Sequence, residues 1–305
     1  MKLYAPKYYK DFYCIADKCK HSCCIGWEID IDNATYEKYS SLNGGYGDEI
    51  KKSIDSSETP HFILCGNDRC PHLNEKGLCK IILNVGEDHL CDICREHPRF
   101  YNYTDLGREV GIGISCEEAC RIVLSSDAYG ELVCIDEDEI EPEVYDFDAT
   151  ELRRQIYGIL SDNSLPYVKK LNVICEKYSV SPTVLSDEEW HVVINSLEYL
   201  DESHKELFSL FSAAPNLKTE QEKILERALA YFIYRHCTEA CDERDFRTSL
   251  GFCLFAERLL SSLSQEAKNN EEIFEYARII SEELEYCEEN TEIIKDEFDA
   301  AYYCF

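Results

Sequence analysis

From about residue 148 onward, apolar residues recur every three to four positions, the period of one face of an α-helix. The pattern predicts helices near 149–162, 165–179, 186–200, 203–213, 219–238, 245–264, 270–287 and 291–302. Pro166, Pro182 and Pro215 stand near the breaks between them, where proline's fixed φ and missing N–H interrupt a helix. The Tyr, Phe and Leu stripes of these helices read as a core. Before residue 148 the patterning is short-ranged. Trp27-Glu28-Ile29-Asp30-Ile31-Asp32 alternates apolar and acidic, as a half-buried strand does, and Asn33 reads as the cap of a helix running through Tyr39. Residues 41–60 read as a loop with a short helix, and Phe62-Ile63-Leu64 as a short strand. Residues 100–104 and 109–114 form a predicted hairpin around Asp105-Leu106-Gly107. Ser115, with Glu118 three residues on, predicts a capping box for a helix carrying Cys116, Cys120 and Arg121. The acidic stretch 136–143 marks a boundary between residues 1–135 and 136–305. The expected fold is mainly α, a cysteine-rich metal-binding N-terminal region with small β elements packed on a C-terminal helical domain.

Composition changes the picture in two ways. The chain of 305 residues is 45% hydrophobic and 30% charged, and no apolar run approaches the roughly 20 residues of a bilayer span. Its first residues, MKLYAPKYYKDF, hold no apolar core and no small-residue cleavage site, so a cytoplasmic chain without membrane attachment is expected. The formal net charge is −30, of which −24 falls after residue 120. Such a chain repels phosphate backbones, which argues against nucleic acid, and it attracts basic partners at long range.

The cysteines change it more. Eleven of 18 lie in the first 120 residues: Cys14, Cys19, Cys23, Cys24, Cys65, Cys70, Cys79, Cys91, Cys94, Cys116 and Cys120. A disulfide scaffold is usually short and exported; in a long chain of this kind, clustered thiols read as metal ligands. Four segments carry them: Cys14-x4-Cys19-x3-Cys23-Cys24 followed by Gly26-Trp27; Cys70-Pro71-His72-Leu73 leading into Gly77-Leu78-Cys79-Lys80-Ile81; Cys91-x2-Cys94 before His97-Pro98-Arg99; and Ser115-Cys116-Glu117-Glu118-Ala119-Cys120-Arg121. Thiolates bind zinc and iron strongly, and four of them suit either a zinc site or an iron–sulfur cluster. Spacing alone leaves the two open. Adjacent Cys23 and Cys24 are expected to serve different centres, or to divide into one ligand and one packed or reactive thiol. His61, His72, His89 and His97 are weaker candidate ligands beside so many thiols.

These segments resemble the flagellin lysine-N-methylase family and, more loosely, the cysteine-rich family described by the pattern CxxCxxCC. The family pattern opens with Cys-x4-Cys-x3-Cys-Cys-x-Gly-Trp, matched from Cys14 to Trp27. It continues with Cys-Pro-x-Leu and Gly-Leu-Cys-x-Ile, matched between Cys70 and Ile81. Its Cys-x3-aromatic-Pro-Arg element is matched from Cys94 to Arg99 with His97 at the aromatic place. Its Ser-Cys-Pro-Glu-Ala-Ala-Arg element is matched from Ser115 to Arg121, with Glu117 for proline and Cys120 for alanine. Tyr231-Phe232-Ile233-Tyr234-Arg235-His236 is similar to a helical segment of that family.

The resemblance implies a protein-lysine N-methyltransferase. It would use S-adenosylmethionine and a [4Fe-4S] cluster, and act on flagellin or another lysine-bearing protein. Thiols at family positions are Cys14, Cys19, Cys23, Cys24, Cys70, Cys79, Cys94 and Cys116; Cys65, Cys91 and Cys120 match less generally. Arg99 is a candidate for the S-adenosylmethionine carboxylate, through its bidentate fork, or for offsetting thiolate charge. Glu118 and Arg121 are candidates to hold substrate or cofactor near the metal, or to pair with each other. No single catalytic base stands out. Trp27 and His236 read as packing residues. No G-x-G-x-x-G loop is present, which argues against a Rossmann-type methyltransferase. Two other classes remain, a non-catalytic zinc-binding interaction module and an iron–sulfur electron carrier.

Overall fold

The computed structural model describes residues 1–104, 106–137, 146–216 and 218–303. In chain order its elements are strand β1 (Lys2–Pro6), helices α1 (Asn33–Ser41) and α2 (Tyr46–Lys52), strands β2 (Ile54–Asp55) and β3 (His61–Phe62), helices α3 (Lys80–Val85) and α4 (Asp92–Glu96), strands β4 (Arg99–Thr104) and β5 (Gly107–Ile112), helix α5 (Glu117–Ser125) and strand β6 (Leu132–Glu137). Helices α6 (Ala149–Leu160), α7 (Tyr167–Tyr178), α8 (Asp187–Ser196), α9 (Glu202–Phe208), α10 (Glu222–His236), α11 (Glu243–Leu263), α12 (Asn270–Ile280) and α13 (Glu288–Tyr303) follow. The protein is mainly α with small sheets. It divides into two compact units. A cysteine unit comprises Tyr13–Arg99 with Cys116–Glu118, and a helical unit comprises Met1–Phe12, Phe100–Ser115 and Ala119–Phe305. Of the acidic stretch 136–143, only Asp136 and Glu137 lie among the described residues, and they end β6.

In the helical unit, each helix predicted from periodicity is present. Local chemistry sets their ends: Asp148, Ser186, Asp201, Asp242 and Asn269 each accept a first-turn N–H with the side chain, and Ser186 with Glu189 completes a capping box. Helix α11 is buried along nearly its whole length, and α9, α10, α12 and α13 pack around it. Gly251 allows α13 to approach, since a Cβ there would stand 2.5 Å from the Phe298 ring. Trp190 of α8 closes this core, with ring centroids 4.5 Å from Phe255, 5.7 Å from Phe298 and 5.9 Å from Phe211. The predicted helix 270–287 is interrupted. Helix α12 ends at Ile280, and Ser281–Glu285 forms a π-helical turn. That turn brings Glu285 inward, where its Oε1 pairs with His236 at 2.7 Å and its Oε2 accepts from the Tyr231 hydroxyl at 3.0 Å. His236 also packs on Phe252, as a core residue would.

The larger sheet runs in the order β4-β5-β1-β6, with β1 parallel to β5 and antiparallel to β6. Gly107 opposes Lys2 at φ +136, and a Cβ there would lie 2.3 Å from the Lys2 carbonyl oxygen, so only glycine fits. Strand β5 is tied to α6 by a buried bidentate pair: Arg153 donates to the two Glu109 oxygens at 2.6 and 2.7 Å.

The cysteine unit is built from short pieces. Its core gathers Ile29, Ile31, Tyr39, Ile50, Phe62, Leu73, Ile81 and Leu90 with Cys70 and Cys91. Ile29 and Ile31 are buried as their alternation predicts, but residues 27–32 form no strand. The segment is extended, with the Ile29 carbonyl accepting from Phe62 N–H at 3.1 Å and Ile31 N–H donating to Pro60 at 2.7 Å. Asp32, not Asn33, caps α1, taking the Thr35 N–H at 2.9 Å. Its carboxylate is a better acceptor than the Asn33 amide, and its second oxygen takes the Asp92 N–H at 2.9 Å, tying α4 to α1. The predicted Ser115 cap is also displaced: α5 starts at Glu117, and the Ser115 hydroxyl is buried without a hydrogen-bond partner.

Candidate metal centre

The cysteines of Tyr13–Arg99 and Cys116 fall into two sets that meet at Cys23 and Cys24. The sulfurs of this vicinal pair hydrogen-bond each other, so they point to the same side. Beyond that junction their neighbours differ. Cys23 lies within electrostatic reach of Cys14 and Cys116, and Cys19 within reach of Cys116. Cys24 lies within reach of Arg69 and acts on Cys70, Cys79 and Cys94. The outer set is therefore Cys14, Cys19, Cys23 and Cys116, of which Cys14 and Cys23 are exposed. The inner set is Cys24, Cys70, Cys79, Cys91 and Cys94. Cys70 and Cys91 belong to the hydrophobic core, and the other three pack against it.

Local structure explains the convergence. An isolated bridge pairs Ile25 with Arg69, Gly26 N–H donates to Asp68 at 2.9 Å, and Cys70 N–H donates to Cys24 at 2.9 Å, so the first two cysteine segments lie side by side. A bridge between Leu73 and Cys79 and the Lys80 N–H bond to His72 at 2.7 Å close the second segment on itself. Cys79 and Cys91 stand immediately before α3 and α4, where free helix N–H groups are available to a sulfur.

Burial and mutual repulsion oppose ionisation of several of these thiols. Burial pushes Cys19 up to about 12, with Glu117 and Cys116 adding to the rise. Burial likewise pushes Cys70 up to about 12, with Cys24 and Cys79 adding and the His72 and Leu73 backbone N–H groups opposing. The hydrogen bond from Cys23 lowers Cys24 to about 7, and the bond from Cys94 lowers Cys91. Thiols that repel one another as anions gain from a bound metal ion, which inverts the balance and deprotonates its ligands.

The other candidates are distributed as follows. Cys65 is exposed. Cys120 lies in the helical unit, its thiol donating to the Phe274 carbonyl at 3.2 Å. His72 is excluded as a ligand: its Nδ1 meets the Tyr46 hydroxyl at 2.6 Å and its Nε2 the Ser53 hydroxyl at 2.8 Å, and burial lowers it to about 4. Arg99 and Glu118 are half-buried in the cysteine unit, with an Arg99 Nη1 bond to the Arg95 carbonyl at 3.3 Å; Arg121 is exposed on the helical unit. The carboxylate that meets a thiol is Glu117, whose Oε2 accepts from Cys19 Sγ at 3.6 Å and from Lys20 N–H at 2.7 Å. Sequence reading passed over it, although an acid standing at a proline position beside a cysteine was a usable signal. Among the described residues, the two groups of three potential ligand atoms within 4.8 Å of one another are Glu28–Asp30–His61 and His204–Glu282–Glu283, and neither contains a cysteine. No helix of the described residues is long and apolar enough to cross a membrane.

Comparison with known proteins agrees with the motifs. The chain is similar to the lysine-N-methylases of Salmonella choleraesuis (strain SC-B67) and Salmonella typhimurium (strain LT2), 26% identical over 129 residues. That stretch is 39% of this chain and 32% of each relative, so the match spans about a third of their length. It is also 26% identical, over 39% of its length, to 75% of the flagellar biosynthetic protein FliU of Salmonella muenchen. No family model matches the chain. No solved structure matches it either.

Proposed function

We propose that this chain N-methylates lysine on flagellin or another lysine-bearing protein, taking the methyl group from S-adenosylmethionine, with a [4Fe-4S] cluster held by Cys14, Cys19, Cys23 and Cys116. The observation that carries the reading is the outer thiol set: four cysteines from two segments, Cys14 and Cys23 exposed and Cys19 and Cys116 half-buried, in a chain similar to proteins named lysine-N-methylase. The donor set fits the group, since four thiolates satisfy such a cluster. When bound, the cluster would supply one-electron redox chemistry beside these thiols.

The chain's own residues have separate tasks. Only a neutral amine is a nucleophile, so the target ammonium must lose a proton. Glu117 is the carboxylate set beside the outer thiols, and it is suited to draw the ammonium in and hold that proton. Arg99 offers a planar fork for the S-adenosylmethionine carboxylate. The net charge of −30 speeds encounter with a basic protein segment.

The experiment is incubation of anaerobically prepared protein with flagellin and S-adenosylmethionine, read by intact and peptide mass spectrometry. Methyl mass increments on lysine, absent without S-adenosylmethionine, are expected. Glu117→Gln should lower the rate about 100-fold, the scale of one acid–base group. Unmodified lysines with cluster-loaded protein would contradict the reading.

A further inference from the structure

The outer set accounts for four thiols and leaves the inner five without a role in the chemistry above. We propose that Cys24, Cys70, Cys79, Cys91 and Cys94 hold a second, separate metal centre of the iron–sulfur type, whose task is to hold the cysteine unit together. Four of the five would ligate it, with the fifth hydrogen-bonded beside them.

The position of these thiols is the first argument. They come from three cysteine segments and converge in or against the hydrophobic core of the unit, beside Ile29, Tyr39, Phe62, Leu73 and Ile81. Packing alone gives no reason to bring five thiols into mutual reach there. The backbone around them is the second argument. Cys70 N–H donates to the Cys24 carbonyl at 2.9 Å, an isolated bridge pairs Leu73 with Cys79, and Lys80 N–H donates to the His72 carbonyl at 2.7 Å, so the stretches carrying Cys24, Cys70 and Cys79 are pinned side by side.

The third argument is mechanical. The unit's helices have nine, seven, six and five residues and its strands two each. Helices shorter than about 12 residues are marginal in isolation. Units of this kind gain their stability from a staple, and a metal centre is one. Spacing chooses the metal. Zinc holds its sulfurs at about 2.3 Å in a tetrahedron, which places them about 3.8 Å apart. Among the described residues, no group of three potential ligand atoms within 4.8 Å of one another includes a cysteine. No three of these sulfurs are set as a zinc tetrahedron would hold them, and a polynuclear core, which spans its sulfurs more widely, suits them better. The vicinal Cys23–Cys24 pair then gives one sulfur to each centre.

The proposal stands apart from methyl transfer, and so does its test. The full chain, reconstituted anaerobically with ferrous iron and sulfide, should hold about eight iron and eight sulfide. The Cys14→Ser/Cys23→Ser variant should keep about half of each and about half of the thiolate-to-iron absorbance, with its far-ultraviolet circular dichroism unchanged. Cys70→Ser/Cys79→Ser should lose the inner half and the cooperative melting of the cysteine unit. A parent chain that saturates at about four iron, none of it lost in Cys70→Ser/Cys79→Ser, would overturn the proposal. So would a folded Cys14→Ser/Cys23→Ser variant free of iron, or one holding a single zinc. Loss of methylation with eight irons retained would count against the proposed function alone.

Discussion

The two units stabilise themselves by different means. In the helical unit, α10 and α11 bury Leu225, Leu229, Phe232, Leu254, Phe255, Leu259 and Leu260 almost completely, and helices of 15 and 21 residues supply the frame. In the cysteine unit the longest helix has nine residues, and cysteines occupy core positions that Leu or Ile would fill elsewhere. Burial of one leucine contributes about 2 kcal/mol without any partner. A cysteine contributes less by packing and more by ligation. The helical unit is stable by buried area; on the two-centre proposal, the cysteine unit is conditional on what its thiols bind.

The largest effect confined to the helical unit is expected at Arg153. Arg153→Met leaves Glu109 buried and unpaired at 1% exposure, which should cost about 3–5 kcal/mol in denaturant unfolding. Glu109→Gln with Arg153→Met should recover part of that loss. A loss below about 1 kcal/mol in the single variant would mean that the buried pair is not a structural tie.

The next effect is pH-dependent. Glu257 of α11 is fully buried, and burial raises its carboxyl from an ordinary 4.5 to about 7. A carboxyl raised in the folded state is held protonated there, while the unfolded chain ionises first. The stability it contributes is complete below pH 4.5 and lost as pH rises to about 7, by roughly 3 kcal/mol. Glu257→Gln should flatten that part of the melting profile in the helical unit. An unchanged slope would place the titration elsewhere. The smallest effect is expected at the α8 cap, where Ser186→Ala should cost about 1 kcal/mol and leave metal content unchanged.

The contrast also explains what could be read in the sequence. Helices α6 to α13 were legible because their apolar period is sustained over two or more turns. Strands β1 and β6 were not. Lys2–Pro6 carries no alternation, and Leu132–Glu137 is almost wholly exposed and ends in acids, so it reads as linker. The π-turn at Ser281–Glu285 was hidden inside a pattern that continued helically through it. In the cysteine unit, alternation placed Ile29 and Ile31 inside correctly but overstated the local structure, because the partner at residues 60–62 supplies bridges and no ladder. The lysine-N-methylase resemblance was legible in its motifs. The partition of the thiols was not, since it depends on which sulfurs come near each other across segments about 100 residues apart. Cys91 shows this: its Cys-x2-Cys spacing with Cys94 was visible, but its place in the core was not.

The most direct test of the account is hydrogen exchange on the anaerobic, metal-loaded protein and on the same protein after iron chelation. The predicted result is loss of protection throughout Tyr13–Arg99, with the amides of α10 and α11 unchanged. Equal protection of Tyr13–Arg99 in both states would contradict it.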